Sequence, residues 1–221
     1  MSTYLTILGY NSAIPTVKSA PTAQFLEMEE RCFLIDCGEG TQVQLRKAKA
    51  KFSKINHIFI SHLHGDHVFG LPGLISSFRL LGRETPLHVY GPKGIKEMME
   101  TIFRITETHQ GFDVVLHELS SKKSEKVFED NRVEVFTIPL DHRIYCNGYL
   151  FKEKPKERHL NMQEISKYPE IEICAAIIIA VPMSKGHGCG AGAFPLAALP
   201  DRKSTRLNSS HITRARMPSS A

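Results

Sequence analysis

The sequence predicts an α/β sandwich, with sheets inside and helices outside. Three observations lead there. Strand-like runs outnumber helical ones, and the two alternate irregularly. The six residues Ile55–Ile60 are largely apolar, as in a short buried strand. Two helical stretches, one with Pro72 in its first turn and one opened by Gly91-Pro92-Lys93-Gly94, fall between strands.

Taken in order, Tyr4–Leu8 alternates as a strand and ends in the turn Gly9-Tyr10-Asn11-Ser12. Gln24–Glu29 and Arg31–Ile35 make a hairpin with Glu29-Glu30 at its tip. Asp36-Cys37-Gly38-Glu39-Gly40 is a loop, after which Thr41 is expected to cap a helix through about Ala50. The strand Ile55–Ile60 leads into a loop, His62–His67, and then a helix from Leu71 to Leu81. Leu87–Tyr90 is a strand, followed by a helix from Gly94 to about Arg104. Val114–Leu119, Val133–Ile138 and Gly148–Phe151 complete the strands.

The 221 residues, 42% of them hydrophobic, suit one domain with a real core. Five cysteines, odd in number and unevenly spaced, read as reduced thiols rather than a disulfide framework. The N-terminus lacks a basic region before an apolar run, and the longest apolar run near the C-terminus, Ala175–Pro182, is too short to span a membrane. A soluble cytoplasmic protein without a membrane partner is expected. The net charge of +5 is no argument for nucleic acid, because Arg202, Lys203, Arg206, Arg214 and Arg216 stand against Asp201 alone in the last 21 residues, and the rest carries only +1.

Ser61-His62-Leu63-His64-Gly65-Asp66-His67 is the most informative stretch, with three histidines and a carboxylate directly after an apolar strand. His62 and His64 are two apart, so an extended backbone points both imidazoles the same way. Gly65 permits a turn that brings Asp66 and His67 round to a second centre. Imidazole nitrogen and carboxylate oxygen are the donors divalent zinc accepts at catalytic sites. His142, after the strand ending at Ile138, is the best later partner. His57, His88, His109, His117 and His159 are expected to be structural or superficial.

The HxHxDH pattern of residues 62–67 resembles the hallmark of the metallo-β-lactamase superfamily. That resemblance implies a four-layer helix–sheet–sheet–helix sandwich, of which this chain holds the N-terminal part. It also implies a first metal held by His62, His64 and a later histidine. Asp66, His67 and a further histidine would hold the second, one aspartate bridging both. Leu8-Gly9 with Ser12-Ala13-Ile14-Pro15-Thr16, Phe33 to Gln42, His64 to Leu74, Tyr90 to Gly94, and His142 with Gly148-Tyr149 narrow the branch. Together these stretches, spread over residues 1–174, resemble ribonuclease Z. The implied activity is endonucleolytic removal of the 3′ trailer from precursor tRNA, leaving a 3′-hydroxyl. Asp66 would accept the proton of the attacking water. Zinc is the implied metal, two ions per intact subunit, with manganese as the alternative, and a homodimer is implied for the intact protein. Arg46, Lys47, Lys49 and Lys51 would meet the RNA backbone.

After Asp141 the next aspartate is Asp201, so no residue supplies the bridging carboxylate and the chain as written is expected to be inactive. Residues 1–174 are expected to form the N-terminal part of the domain. Residues 175–200, where Lys185 is the only charge, read as an aberrant segment after a frameshift or chimeric join. Its GHGCGAG run fits neither glycine-rich phosphate fingerprint. Residues 201–221 resemble a translated short-read sequencing adapter and are expected to be disordered. The competing enzyme reading is a cyclic or small-substrate phosphodiesterase of the same superfamily. The non-enzyme reading is a metal-binding fragment without turnover.

Overall fold

Alternation along the first strands decides which side of the sheet each residue serves. In a strand successive side chains face opposite ways. In β3 (Arg31–Ile35), Cys32 and Leu34 accordingly join one core cluster and Phe33 joins another. The structure, a computed structural model, describes residues 3–108, 111–155 and 214–217. Contacts divide the chain into one unit of Met1–Lys154 with Asn208–Ala221, and a second, Pro155–Leu207, of which only Pro155 is described.

The larger sheet begins with an antiparallel run of β1 (Thr3–Gly9), β2 (Ala23–Met28) and β3. Glu29 and Glu30, the hairpin tip, both take positive φ (49° and 66°), the backbone of the two-residue turn that matches strand twist. From β3 the pairing turns parallel through β4 (Ile55–Phe59), β5 (Leu87–Pro92) and β6 (Val114–Leu119). Parallel neighbours need crossovers. Here these contain α1 (Thr41–Lys47), then α2 (Gly65–Val68) with α3 (Leu71–Leu80), then α4 (Ile95–Ile105). The smaller sheet is antiparallel: β7 (Lys126–Glu129), β8 (Val133–Pro139) and β9 (Asn147–Glu153).

Two apolar clusters lie on opposite faces of the larger sheet. Leu45, Leu71, Leu74, Ile75, Phe78, Ile95 and Met99 from the helices pack with Leu34, Ile58 and Val89. On the other face, Phe33, Phe59 and Tyr90 meet Val133 and Val135 of the smaller sheet. Phe33 is fully buried among the rings of Phe59, Phe128 and Phe151, each within 6.1 Å. The described residues therefore supply three layers: helices, sheet and sheet.

Three expectations need correction. Thr41 does not cap α1; Gly40 holds that position at φ 76°, and the Thr41 hydroxyl donates instead to the Gly38 carbonyl at 2.7 Å. The helix also ends early. Lys49 turns left-handed (φ 53°), and the Ala50 N–H closes onto Leu45 C=O, the usual glycine stop made here by lysine. The His62–His67 stretch contains a helical turn, α2, rather than loop throughout. In the tail, Arg214–Met217 form β10, pairing antiparallel with β1 from Thr3↔Met217 to Thr6↔Arg214. An otherwise open strand edge accepts any extended segment through its main chain. β7 was not anticipated, since four residues with charged ends give little alternation to detect. His109, His159, GHGCGAG and residues 175–200 lie outside the described residues.

Candidate metal centre

Ligand sites in parallel sheets form beyond the carboxyl ends of the strands. Asp36 directly follows β3, and Ser61 lies just past β4. Main-chain bonds fasten these loops together: Cys37 N–H donates to His67 C=O at 2.7 Å, and Gly70 N–H to Cys37 C=O at 2.9 Å. The smaller sheet is pinned to the same corner. Asn147 N–H donates to Ser61 C=O at 3.0 Å, and the Tyr149 hydroxyl to Ile60 C=O at 2.8 Å. The chain before β9, with Leu140 N–H bonded to Cys146 C=O, thereby presents His142 to His62.

His62, His64 and His142 converge. One ring nitrogen from each lies within 4.8 Å of the others, and the ring centroids are 4.8, 4.9 and 5.4 Å apart. His62 is buried, His64 half-buried and His142 exposed. A shared zinc at about 2.1 Å from each nitrogen would set them roughly 3.4 Å apart. The set fits such an ion once the three rings draw closer together, and the His142 Nδ1 accepts the Ile144 N–H at 3.3 Å.

Asp66 and His67 sit beside this triad. The His67 ring centroid is 4.0 Å from that of His62, and His67 Nε2 is 3.5 Å from Asp66 Oδ2. The same Asp66 oxygen accepts the Ala13 N–H at 2.9 Å. Burial works to raise the Asp66 pKa, but that N–H and the neighbouring His67 outweigh it, and the carboxyl titrates below its ordinary value. Burial, followed by repulsion from His67, pushes His62 down to about 4, so its ring is neutral at physiological pH. Burial also works against a charged His67, yet the Asp36 hydrogen bond and charge prevail and raise its pKa.

Asp36 is the residue that sequence reasoning missed. It is buried, with φ 57°, and its Oδ2 lies 2.8 Å from His67 Nδ1, while Oδ1 accepts the Ser61 N–H at 2.7 Å. Histidines that bind metals commonly give their second nitrogen to such a carboxylate. The only sequence signal was an acidic residue ending an apolar strand. His57, His88 and His117 form a separate stacked row on β4, β5 and β6, with His88 Nδ1 3.1 Å from His117 Nε2. They belong to the packing between the sheets. Cys32, Cys37 and Cys146 are buried free thiols.

Known proteins extend these observations. A family model described as Anti-Pycsar protein Apyc1 matches residues 3–142. A ribonuclease Z of Bacteroides fragilis is 47% identical over 171 residues, covering 76% of this chain and 56% of the relative. One from Porphyromonas gingivalis is 47% identical over 155 residues, 70% of this chain and 51% of the relative. Among solved structures, human tRNase Z, short form, matches with a TM-score of 0.63 and 34% identity, over 68% of this chain and 65% of that one. The chain spans about half the length of the curated relatives it matches. Bacillus subtilis YhfI, a metallo-beta-lactamase fold protein, shares the fold at 17% identity, with a TM-score of 0.54 over 69% of this chain and 59% of its own. The chain thus belongs to the family that the Apyc1 model describes, it has the metallo-β-lactamase fold, and ribonucleases Z are among its homologues.

Proposed function

We propose that this chain carries the metal-binding half of an endoribonuclease that removes the 3′ trailer from precursor tRNA and leaves a 3′-hydroxyl. The observation that carries the reading is the convergence of His62, His64 and His142 beside the Asp66–His67 pair. His62, His64 and His142 would hold one ion and Asp66 with His67 a second; zinc, two per intact subunit, suits these donors, with manganese the alternative. Bound metal lowers the pKa of a coordinated water and offsets charge on the phosphate. The side chains then have defined tasks. Asp66, oriented by the Ala13 N–H, accepts the water's proton, and Asp36 orients His67. Arg46, Lys47, Lys49 and Lys51, all exposed at the end of α1 and just beyond, meet the RNA backbone as phosphate contacts. The intact protein is a cytoplasmic homodimer in this reading. Among the described residues no helix is long and apolar enough to cross a membrane.

The test joins the B. fragilis ribonuclease Z's C-terminal portion to residues 1–154 of this chain. The chimera, with zinc or manganese, is assayed on a 3′-extended precursor tRNA and on a chromogenic phosphodiester, beside the 221-residue chain. Trailer removal by the chimera, with a 3′-hydroxyl on the tRNA product, is expected, with no turnover by the shorter chain. Turnover of the small diester alone would replace this reading with a small-substrate phosphodiesterase. Metal binding without any turnover would leave a non-catalytic metal-binding protein.

A further inference from the structure

The Ser61 hydroxyl stands among three polar groups and has one hydrogen to give. Its Oγ lies 2.9 Å from Asp36 Oδ2, 3.0 Å from His62 Nδ1 and 3.2 Å from His67 Nδ1. A carboxylate only accepts, so the hydroxyl hydrogen goes to Asp36. The Ser61 backbone N–H holds the other oxygen of that carboxylate at 2.7 Å and keeps the two groups aligned. With its hydrogen committed, Oγ can only accept. His62 Nδ1 must then carry a hydrogen, because two lone pairs would otherwise face each other at 3.0 Å. A neutral ring protonated at Nδ1 has its lone pair at Nε2. His67 reaches the same state by a different route, since its Nδ1 lies 2.8 Å from the carboxylate itself.

We propose that Ser61 is a positioning residue whose hydroxyl, oriented by Asp36, holds His62 in its Nδ1–H form and leaves Nε2 free for the metal. The inference rests on the metal-centre reading. His62 Nδ1 also lies 3.8 Å from Cys146 Sγ, a weak acceptor at long range. Ser61 thus serves His62 as Asp36 serves His67, and a single carboxylate organises both rings.

The 221-residue chain, 15N-labelled and freed of metal by a chelator, tests this through two-bond 15N–1H correlation of the histidine rings. His62 is assigned by its loss in His62→Gln. The unaltered chain should show His62 as the Nδ1–H form. Ser61→Ala should move it to the Nε2–H form that histidine favours in water, while His67, held by Asp36, stays unchanged. Ser61→Thr keeps the hydroxyl and should retain the original pattern, as should Cys146→Ala. In a zinc titration against a chelating dye, Ser61→Ala should weaken binding about 10- to 100-fold, and Ser61→Thr should restore it. An Nε2–H ring at His62 in the unaltered chain overturns the proposal, as does Ser61→Ala leaving that ring unchanged. Zinc binding absent from every variant overturns the metal-centre reading instead, and leaves the tautomer assignment standing on the ring spectra.

Discussion

At Asp66 one carboxylate oxygen faces both the Ala13 N–H at 2.9 Å and His67 Nε2 at 3.5 Å. The first fixes its rotamer and the second sets its role. In the chimera, Asp66→Ala should reduce tRNA cleavage on the order of a thousandfold, the scale of a lost general base. Its affinity for precursor tRNA should change by less than about threefold, because phosphate contacts elsewhere hold the RNA. Gel-shift and single-turnover measurements separate the two, and undiminished cleavage would remove Asp66 from the chemistry. His57 gives a stability prediction. Burial first, then His88, His117 and Arg83, lower its pKa from 6.5 to about 4, against an opposing pull from Asp130. Among the described residues its buried Nδ1 has no hydrogen-bond partner. The unfolded chain therefore binds a proton that the folded one refuses between those values, so stability is lost as pH falls from 6.5 towards 4. His57→Leu should flatten the fall of thermal midpoint over that window, and an unchanged slope would show that His57 does not titrate there. The histidines of residues 62–67 were legible because their spacing alone puts donors on one side. Asp36 was not, since nothing in a lone acidic residue says that folding will bring it to His67, 31 positions away.

Where elements meet, close backbone approach does the positioning. A Cβ at Gly38 would lie 2.4 Å from the Asp66 carbonyl and 2.6 Å from the Pro21 side chain. Gly38→Ala must therefore push the loop after β3 away from the loop after β4, and zinc affinity should fall together with the thermal midpoint. Gly40 offers the contrast, because a Cβ there meets nothing within 4 Å while φ is 76°. Gly40→Ala should cost roughly 1–2 kcal/mol of left-handed strain and leave zinc affinity unaltered. Equal losses of affinity in both variants would mean that general destabilisation, not the displaced loop, weakens the centre. Most elements were readable from alternation and apolar runs: the β2–β3 hairpin, β4, β6 and the helices before and after β5. The misread boundaries have local causes. Lys49 supplies a left-handed stop that sequence normally writes with glycine, and the Thr41 hydroxyl is occupied by a carbonyl. A strand as short as β7 has too few residues for a period to show.

On the scale of the whole molecule, both core clusters, among the described residues, are built from residues ahead of 154, and β10 pairs with β1 at the edge of the larger sheet. Main-chain pairing of this kind asks little of the side chains, so an extended segment of almost any composition can occupy the edge. The sequence could not foretell it, because an open strand edge exists only once the sheet has formed. The expectation that residues 201–221 stand outside the domain becomes a proposal with a direct test. Deleting them removes the four-residue ladder between Thr3–Thr6 and Arg214–Met217 but, among the described residues, no member of either core cluster. The thermal midpoint should therefore shift by no more than about 4 °C, the equivalent of ~1 kcal/mol in a chain of this size. The freed β1 edge then becomes a template for another chain, so light scattering should report greater self-association of the shortened protein. A midpoint lowered by more than about 8 °C, beyond ~2 kcal/mol, would show that the tail contributes to the core itself. It would return the last 21 residues to the domain.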